Sequence, residues 1–263
     1  MDLDGAVVAI TGASRGIGAA TATAVAARGA RVGLIARTVE DLDGVLAACR
    51  PGGVTVGADV SDREATVAAI EQIESELGPV DVLVANAGIG AYGPLVDMSY
   101  EEMERVVAVN VLGTMYPIRA VLPVMIARRR GHVVTVGSIA GRIGSPFEAV
   151  YSATKFAGVG FTEAFAVEVA PYGVGVSIVN PGVVATDFGA ARGHPYDRDR
   201  PKPISSESVA DAVVAAVEGG AGERYVPRWF RPAVVTRHLV PPMFRWGTAR
   251  SFRSELKADR AKR

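Results

Sequence analysis

Short apolar runs alternate with longer amphipathic runs along most of this 263-residue chain. The short runs are rich in Val, Ile and Ala, as parallel strands buried on both faces are. They predict strands at residues 6–10, 31–35, 54–58, 80–85, 132–136, 175–180 and 224–227. The longer runs predict helices at residues 17–28, 39–50, 62–77, 101–129, 149–170 and 208–218. Such alternation predicts an α/β fold with a doubly wound parallel sheet and ligands beyond the carboxyl ends of its strands.

Composition excludes several classes of protein. With 49% apolar residues, the chain is long enough for one substantial domain. Cys49 is the single cysteine, so an intrachain disulfide and a cysteine metal cluster are excluded, and a reducing cytoplasm suits the chain. The three histidines are scattered, and no metal site is predicted. The first residues, MDLDGAVVAITG, predict a strand and not a signal peptide, and no uninterrupted apolar run looks long enough to span a bilayer.

A glycine-rich segment, Thr11–Gly18, lies where the first strand turns into the first helix. A dinucleotide pyrophosphate meets a helix amino terminus at such a turn, because glycines let the backbone approach the phosphates. The alternative is a tight strand-to-helix turn without a ligand. The cofactor contacts expected here are Gly12, Ser14, Arg15, Gly16, Ile17 and Gly18.

Arginine follows the second strand, where an acidic residue would bind the adenosine ribose of NAD. Arg37 at this place, with Arg15 in the glycine turn, predicts a clamp on the 2′-phosphate of NADP. Either arginine alone fits a solvated surface charge equally well. Asp59 and Val60 end the third strand and are expected to receive the adenine amino group, although Asp59 could instead cap the next helix.

Tyr151 and Lys155 are four residues apart and share one face of the helix predicted at 149–170. A neighbouring ammonium stabilises a phenolate and is expected to bring the tyrosine pKa towards neutral pH. An ordinary amphipathic face is the alternative. Ser138 favours the catalytic interpretation, because it follows the strand at 132–136 at its carboxyl end.

These motifs together resemble those of the short-chain dehydrogenase/reductase family, over about residues 4–227. The match covers the family's TGxxxGIG, NAG, catalytic Ser, YxxxK and PGxxxT motifs, in their usual order and at their usual distances. In this chain the matching residues are Thr11–Gly18, Asn86, Ala87, Gly88, Ser138, Tyr151, Lys155, Pro181, Gly182 and Thr186, and Asn110 matches the asparagine that completes the catalytic tetrad.

The resemblance implies a Rossmann fold and hydride transfer between NADP(H) and an alcohol/carbonyl pair. Tyr151 would donate or accept the substrate proton, and Lys155 would lower its pKa and bind the nicotinamide ribose. Ser138 would polarise the substrate oxygen, and Asn110 would hold a water that links Lys155 to solvent. Contacts with the cofactor would come from Tyr151, Lys155, Asn86, Ala87, Gly88, Pro181, Val184 and Thr186, with Thr186 and the backbone near Val184 on the carboxamide.

Residues 1–227 are thus interpreted as one cofactor-binding and catalytic domain, with a substrate loop at about 188–206 that is expected to be mobile. Segments near 145–149 and 90–94 are expected to help select the substrate. Their aromatic residues suggest a lipophilic carbonyl, either aliphatic, steroid-like or acyl. These aromatic residues are Phe188, Tyr196, Phe147 and Tyr92.

The remaining residues, 228–263, form a basic aromatic extension. Residues 224–263 hold 11 Lys and Arg against 2 Asp and Glu, while residues 1–223 hold 17 against 26. The tail could lie on an anionic membrane surface, or its aromatic residues could pack on the body or a partner subunit. Nucleic acid is not an expected partner.

The resemblance also implies a homodimer or homotetramer formed through the helices at 101–129 and 149–170. The expected protein is a cytoplasmic NADP(H)-dependent oxidoreductase that reduces a small-molecule carbonyl, and its basic tail is a candidate for peripheral membrane contact. The alternative from a different class is a catalytically silent NADP(H)-binding sensor or scaffold of the same fold.

Overall fold

The computed structural model describes residues 1–194, 196 and 201–262. Within them, seven strands form one parallel sheet in the order β3-β2-β1-β4-β5-β6-β7. The strands are β1 (Val7–Thr11), β2 (Arg31–Ala36), β3 (Gly53–Gly57), β4 (Val82–Ala85), β5 (Gly131–Val136), β6 (Val174–Pro181) and β7 (Gly222–Val226). All seven predicted strands are present, and the doubly wound α/β fold is confirmed.

Eleven helices are formed by the described residues. They are α1 (Gly16–Ala26), α2 (Glu40–Ala47), α3 (Arg63–Leu77), α4 (Tyr100–Val107), α5 (Gly113–Arg128), α6 (Ala149–Val169), α7 (Phe188–Ala191), α8 (Ser206–Glu218), α9 (Phe230–Leu239), α10 (Pro241–Ser251) and α11 (Arg253–Lys262). The six predicted helices are present, whereas α7 and the three tail helices were not expected.

Two apolar layers cover the sheet. One face carries α1, α2 and α8, with side chains such as Val25, Leu42 and Val213 against the strands. The other face carries α3, α5 and α6, with Ile70 and Phe165 among the buried residues. Because both faces of the sheet are buried, the strands have continuous apolar sequences and not alternating ones. The order in which successive strands are added to the sheet reverses between β1 and β4, and ligands bind at such a point in open sheets of this kind.

The helix predicted at 101–129 is interrupted by a π-helical turn, Ala108–Leu112, between α4 and α5. By length and composition alone, the continuous helical segment Tyr100–Arg128 would suffice to span a membrane, although it contains no long uninterrupted apolar run. Its inner face, which includes Ile118, Val121 and Met125, is fully buried against the sheet. This is the environment of a core helix.

The region predicted as a mobile loop contains α7, and a parallel bridge joins Val184 to Ile204. Part of the predicted substrate loop, residues 195 and 197–200, lies outside the described residues. The basic extension folds into α9, α10 and α11 and returns to the body. Phe230 is 7% exposed and packs on Gly182, where an added Cβ would lie 2.2 Å from the phenylalanine ring.

Candidate active site

A cleft opens along the carboxyl ends of β1, β2, β4, β5 and β6, with a volume of about 1310 Å³. Ordinary small-molecule pockets measure roughly 300–1,000 Å³. The cleft is therefore large enough for an extended ligand together with a smaller one. The predicted site residues that line it are Gly12, Ser14, Arg15, Gly16, Ile17, Arg37, Asp59, Val60, Asn86, Ala87, Gly88, Ser138, Tyr151, Lys155, Pro181, Val184 and Thr186.

The glycine turn at the end of β1 adopts a backbone that requires glycine. Gly12 has φ +65°, and an added Cβ would lie 2.8 Å from the Cα of Ala87. Gly16, with φ +56°, begins α1. No side chain caps the amino terminus of α1, so its first N–H groups face the cleft side of the turn without a side-chain acceptor. This arrangement suits a bound pyrophosphate.

Asn86 ties this turn to the end of β4. Its Nδ2 donates to the carbonyl oxygens of Thr11 and Gly12 at 3.0 and 3.1 Å. The Thr11 hydroxyl in turn accepts from the backbone N–H groups of Asn86 and Ala87. The side chain of Asn86 thus holds two walls of the cleft together. Gly18 does not line the cleft but packs behind the turn, where a Cβ would lie 2.1 Å from the Gly12 carbonyl oxygen.

Positive charge collects at the end of the cleft nearest β2 and β3. Arg15, Arg37 and Arg105 all line this end, together with Asp59. Burial alone would raise the pKa of Asp59, but hydrogen bonds from Ser61 and the charges of Arg37 and Arg105 bring it below its ordinary value. The ionised carboxylate is therefore stable beside the arginines.

The alternative role of Asp59 as a helix cap is not what the structure shows. Asp62 is the residue before α3, and its side chain accepts from the N–H of Ala65 at 2.9 Å. Asp59 instead accepts from both the N–H and the hydroxyl of Ser61, at 2.9 and 2.6 Å. Both of these hydrogen bonds go to Oδ1 of Asp59.

Tyr151 and Ser138 meet at the other end of the cleft. Ser138 follows β5 and begins a short 3-10 turn, where its hydroxyl accepts from the N–H of Ala140 at 3.1 Å. Tyr151 lies in the first turn of α6, is 8% exposed, and is close enough to Ser138 for this side chain to lower its pKa. The predicted pair is thus brought together.

The pKa of Tyr151 shifts in the direction opposite to the one expected. Burial raises it to about 12, and the nearby Glu148 carboxylate adds to this rise, whereas Ser138 and Arg192 act to lower it. Burial also lowers the pKa of Lys155 to about 8. The expectation from spacing ignored desolvation, which disfavours the charged form of both groups.

Lys155 lies one helical turn after Tyr151, with its Nζ 5.8 Å from the centre of the tyrosine ring. Its ammonium donates to the backbone carbonyl of Val136 at 3.2 Å. An added Cβ at Gly88 would lie 3.6 Å from Nζ, which places Lys155 beside the end of β4 as well. The ammonium therefore stands between the phenol and the cofactor part of the cleft.

Asn110 does not line the cleft and is 2% exposed, within the π-helical turn. Its Oδ1 accepts from the N–H of Ile89 at 2.8 Å, and its Nδ2 donates to the Ile89 carbonyl and to the Thr154 hydroxyl. The side chain thus fastens the segment after β4 to α6. Such π-helical turns are frequent at functional sites, and this one turns the amide towards α6.

The segment after β6 closes the cleft over the glycine turn. The methyl carbon of Thr186 would lie 3.2 Å from a Cβ at Gly16. Thr186 donates its N–H to the carbonyl of Val184 at 2.9 Å, and its hydroxyl accepts from the N–H of Phe188 at 3.4 Å. This tight turn directs the chain into α7.

Aromatic side chains surround the space next to Tyr151. Phe188 packs on Tyr151 with ring centres 5.7 Å apart, and Tyr92 and Tyr196 also line the cleft. Phe147, expected in the lining, lies outside it and packs behind Tyr92 at 5.8 Å. Its φ of +63° turns the backbone in a way uncommon for a side chain of this size.

The far wall of this space is built by the tail, which the sequence did not predict. α9, α10 and the residue after α10 contribute several lining residues with roughly helical spacing, namely Phe230, Ala233, Thr236, Met243, Phe244, Gly247, Thr248, Ser251 and Phe252. Many of them are small or polar, so the periodic signal is too weak to find in the sequence. The tail and the body therefore share one pocket.

An ion pair beside Tyr151 was also missed. Arg192, just after α7, pairs with Glu148, three residues before Tyr151, and the two side chains are 12% and 15% exposed. The guanidinium of Arg192 also lies 5.0 Å from the Tyr92 ring centre. Neither charge belongs to a sequence motif, so only the folded chain pairs them. Among the described residues, no group of three or more His, Cys, Asp or Glu could hold a metal ion.

Comparison with known proteins assigns the family. The model of the short chain dehydrogenase family matches residues 6–197. The chain is 36% identical to dehydrogenase/reductase SDR family member 7B of Bos taurus, over 96% of this chain and 83% of that protein. It is 35% identical to the 3-oxoacyl-[acyl-carrier-protein] reductase FabG of Escherichia coli, over 72% of this chain and 77% of that protein. A match of 42% identity to glycine betaine reductase ATRR of Emericella nidulans covers 71% of this chain but 15% of that protein.

Solved structures show the same relationship. A short chain dehydrogenase from Burkholderia cenocepacia in complex with NADP is 30% identical, with a TM-score of 0.82 over 94% of this chain and 99% of that chain. A short chain dehydrogenase/reductase from Burkholderia phymatum in complex with NAD is 26% identical, with a TM-score of 0.83 over 90% and 94%. The neighbours thus include binders of both nicotinamide cofactors. The chain belongs to the short-chain dehydrogenase/reductase family, whose members are oxidoreductases that act on CH–OH groups.

Proposed function

We propose that this protein is an NADP(H)-dependent oxidoreductase that reduces a lipophilic ketone or aldehyde to the alcohol. The observation that carries the proposal is the buried Tyr151, which lies beside Ser138 at the aromatic end of a cleft that begins at the glycine turn. A nicotinamide cofactor supplies the hydride, and the protein must hold the carbonyl and provide a proton.

Tyr151 provides that proton in the proposed mechanism. With a pKa raised to about 12, the phenol is protonated at neutral pH and is ready to act as an acid. The carbonyl oxygen of the substrate would accept hydrogen bonds from Tyr151 and Ser138, which polarise it and stabilise the developing negative charge. The proton then passes from the phenol to the oxygen, and the alcohol forms.

Lys155 and Asn110 support this step. The ammonium of Lys155 would stabilise the phenolate left after proton transfer and bind the nicotinamide ribose. Its pKa of about 8 leaves it mostly charged at neutral pH. Asn110 holds the segment that follows β4 in place against α6. A water near Asn110 would link Lys155 to solvent. Thr186 and the backbone at Val184 would bind the carboxamide of the cofactor.

The preference for NADP rests on Arg15 and Arg37 at the end of the cleft nearest β2. Two guanidinium groups suit a 2′-phosphate, and no carboxylate follows β2 directly. Arg37→Ala is expected to weaken NADPH binding at least tenfold and to leave NADH binding nearly unchanged. The matched control is Arg31→Ala, at the opposite end of the same strand. Fluorescence titration with both cofactors measures the ratio, and an unchanged ratio in Arg37→Ala would refute the preference.

A lipophilic substrate is proposed because Phe188, Tyr92 and the tail residues Phe244 and Phe252 surround the space beside Tyr151. The name of the relative from Escherichia coli, a 3-oxoacyl reductase, agrees with an acyl carbonyl. Initial rates on a panel of carbonyls test this point. A clear preference for small charged substrates would contradict it.

The decisive test of catalysis compares wild type with Tyr151→Phe. We expect turnover to fall at least a thousandfold, since the acid is lost, while NADPH binding is retained. Tyr172→Phe, an exposed tyrosine, serves as the control and should keep its activity. If wild type and variant alike never turn over, and NADPH changes affinity for a protein partner, the protein is a sensor or scaffold instead.

We further propose a cytoplasmic homodimer or homotetramer formed through α5 and α6, with residues 1–227 as the catalytic domain and residues 228–263 as its extension. Members of the family commonly oligomerise, which supports this assembly. Val167 of α6, which is 75% exposed, is the position chosen to test it. Light scattering should give a molar mass that is two or four times that of one chain, and Val167→Glu should lower this molar mass. A monomeric wild type would reject this assembly.

A further inference from the structure

The tail helices have two faces with different surroundings. Phe230 and Val234 of α9 are buried, and Phe244 and Thr248 of α10 face the cleft. Arg237 anchors α9 further, because it donates to the backbone carbonyl of Arg142 at 2.6 Å. These contacts hold the helices on the body and determine which of their residues point outward.

The outward residues include four large apolar side chains where α9 meets α10. Leu239, Val240, Met243 and Trp246 are 75%, 45%, 53% and 65% exposed, and we call them the α9–α10 corner. Leu239 and Val240 end α9 and adjoin the first turn of α10, while Met243 and Trp246 are neighbours one helical turn apart. Clustered exposure of this kind marks an interaction surface, unlike single exposed residues.

The sequence segment that forms the α9–α10 corner carries charge of one sign. Residues 224–254 contain seven arginines and no Asp or Glu. Arg245 and Arg250 are exposed on α10, and the guanidinium of Arg250 lies 5.7 Å from the Trp246 ring centre. Apolar and aromatic residues flanked by arginines are typical of helices that lie in the headgroup region of an anionic bilayer.

We propose that the α9–α10 corner docks on an anionic lipid bilayer and thereby brings the substrate pocket to the membrane surface. Met243 connects the two features, since it is half exposed at the corner and also lines the cleft. This inference rests on the proposed function, because a pocket for lipophilic carbonyls gains from direct access to lipid. A second copy of the chain fits the corner less well, since two such surfaces would bring the exposed Arg245 and Arg250 of both copies together.

Co-sedimentation of the full chain with vesicles tests the docking. Wild type is expected to bind vesicles that contain phosphatidylglycerol and not vesicles of phosphatidylcholine alone. Leu239→Glu/Trp246→Glu should lower binding at least tenfold. The matched control, Val96→Glu/Tyr100→Glu, adds the same charge at side chains that are 74% and 80% exposed elsewhere, and it should bind as wild type does.

A second pair of substitutions tests the charges. Arg245→Gln/Arg250→Gln should weaken binding by roughly fivefold for each arginine, and added salt should weaken wild type similarly. The inference is overturned if wild type ignores anionic vesicles, if the corner variant binds them unchanged, or if light scattering shows that this variant dissociates an oligomer while vesicles bind neither protein. Binding is measured without turnover, so failure of the proposed enzymatic activity would be seen separately.

Discussion

His132 provides a test of how the folded chain controls a titrating group. It lies in β5, is 4% exposed, and its Nε2 is 2.9 Å from the Ser177 hydroxyl of the neighbouring strand. Burial, followed by the charges of the amino terminus and Arg224, lowers its pKa from 6.5 to about 4. The imidazole is therefore neutral in the folded protein under conditions where the unfolded chain protonates it.

The sign and size of the effect follow from linkage. Above about pH 6.5 both states carry a neutral imidazole, and His132 adds nothing to the pH dependence of stability. Between about pH 6.5 and 4 the unfolded chain binds more protons, so the free energy of unfolding falls as the pH falls. For a drop from pH 7 to pH 5, the two pKa values give a loss of about 2 kcal/mol.

Denaturant unfolding at pH 7 and pH 5, followed by circular dichroism, measures this loss. Other groups titrate over the same range, so the comparison is with His132→Gln, which cannot gain a proton. Its stability should fall less between the two pH values, by about 2 kcal/mol, whatever its stability at pH 7. His238→Gln, at an exposed site on α9, is the control and should behave as wild type. Equal pH dependence in wild type and His132→Gln would refute the reasoning.

Two further predictions concern the site. Glu148 raises the pKa of Tyr151 and Arg192 lowers it. The rate of alcohol oxidation should therefore rise at a lower pH in Glu148→Gln and at a higher pH in Arg192→Gln. If the pH–rate profiles of both variants shift in the same direction, this prediction is wrong. Gly12→Ala should raise the NADPH dissociation constant at least tenfold, since the added Cβ would collide with the segment that follows β4. The control is Gly5→Ala, because Gly5 has a similar φ of +68° and open space around it, and this variant should bind NADPH as wild type does. Fluorescence titration compares the two, and equal weakening would show that backbone strain alone is responsible.

The sequence identified residues of the cleft best in the short segments that follow strand ends. Thr11–Gly18, Ser138 and Thr186 each follow an apolar run that is buried on both faces, and parallel strands bring their carboxyl ends to one edge. Seventeen of the predicted site residues therefore meet in one cleft. Gly18 and Asn110 pack behind it, because the spacing of a motif does not say which side of a turn a residue faces.

The direction of the Tyr151 pKa shift was beyond prediction from spacing. The spacing of four positions from Tyr151 to Lys155 indicates proximity, but desolvation depends on everything packed around both groups. The pairing of Arg192 with Glu148 depends likewise on how the segment after β6 returns over α6. Neither residue belongs to a local pattern.

Three features of the protein follow from its sequence alone: the succession of strands and helices along the chain, the edge of the sheet at which the predicted site residues lie, and the positive charge of the tail. These follow from periodicity and composition within contiguous segments. Only the folded chain shows that the tail forms three helices, that Phe244 and Phe252 line the cleft, and that Leu239 and Trp246 stay exposed. The physical reason is that burial is a property of the folded chain, and aromatic residues with equal hydropathy are sorted inward or outward only when helices dock on the sheet.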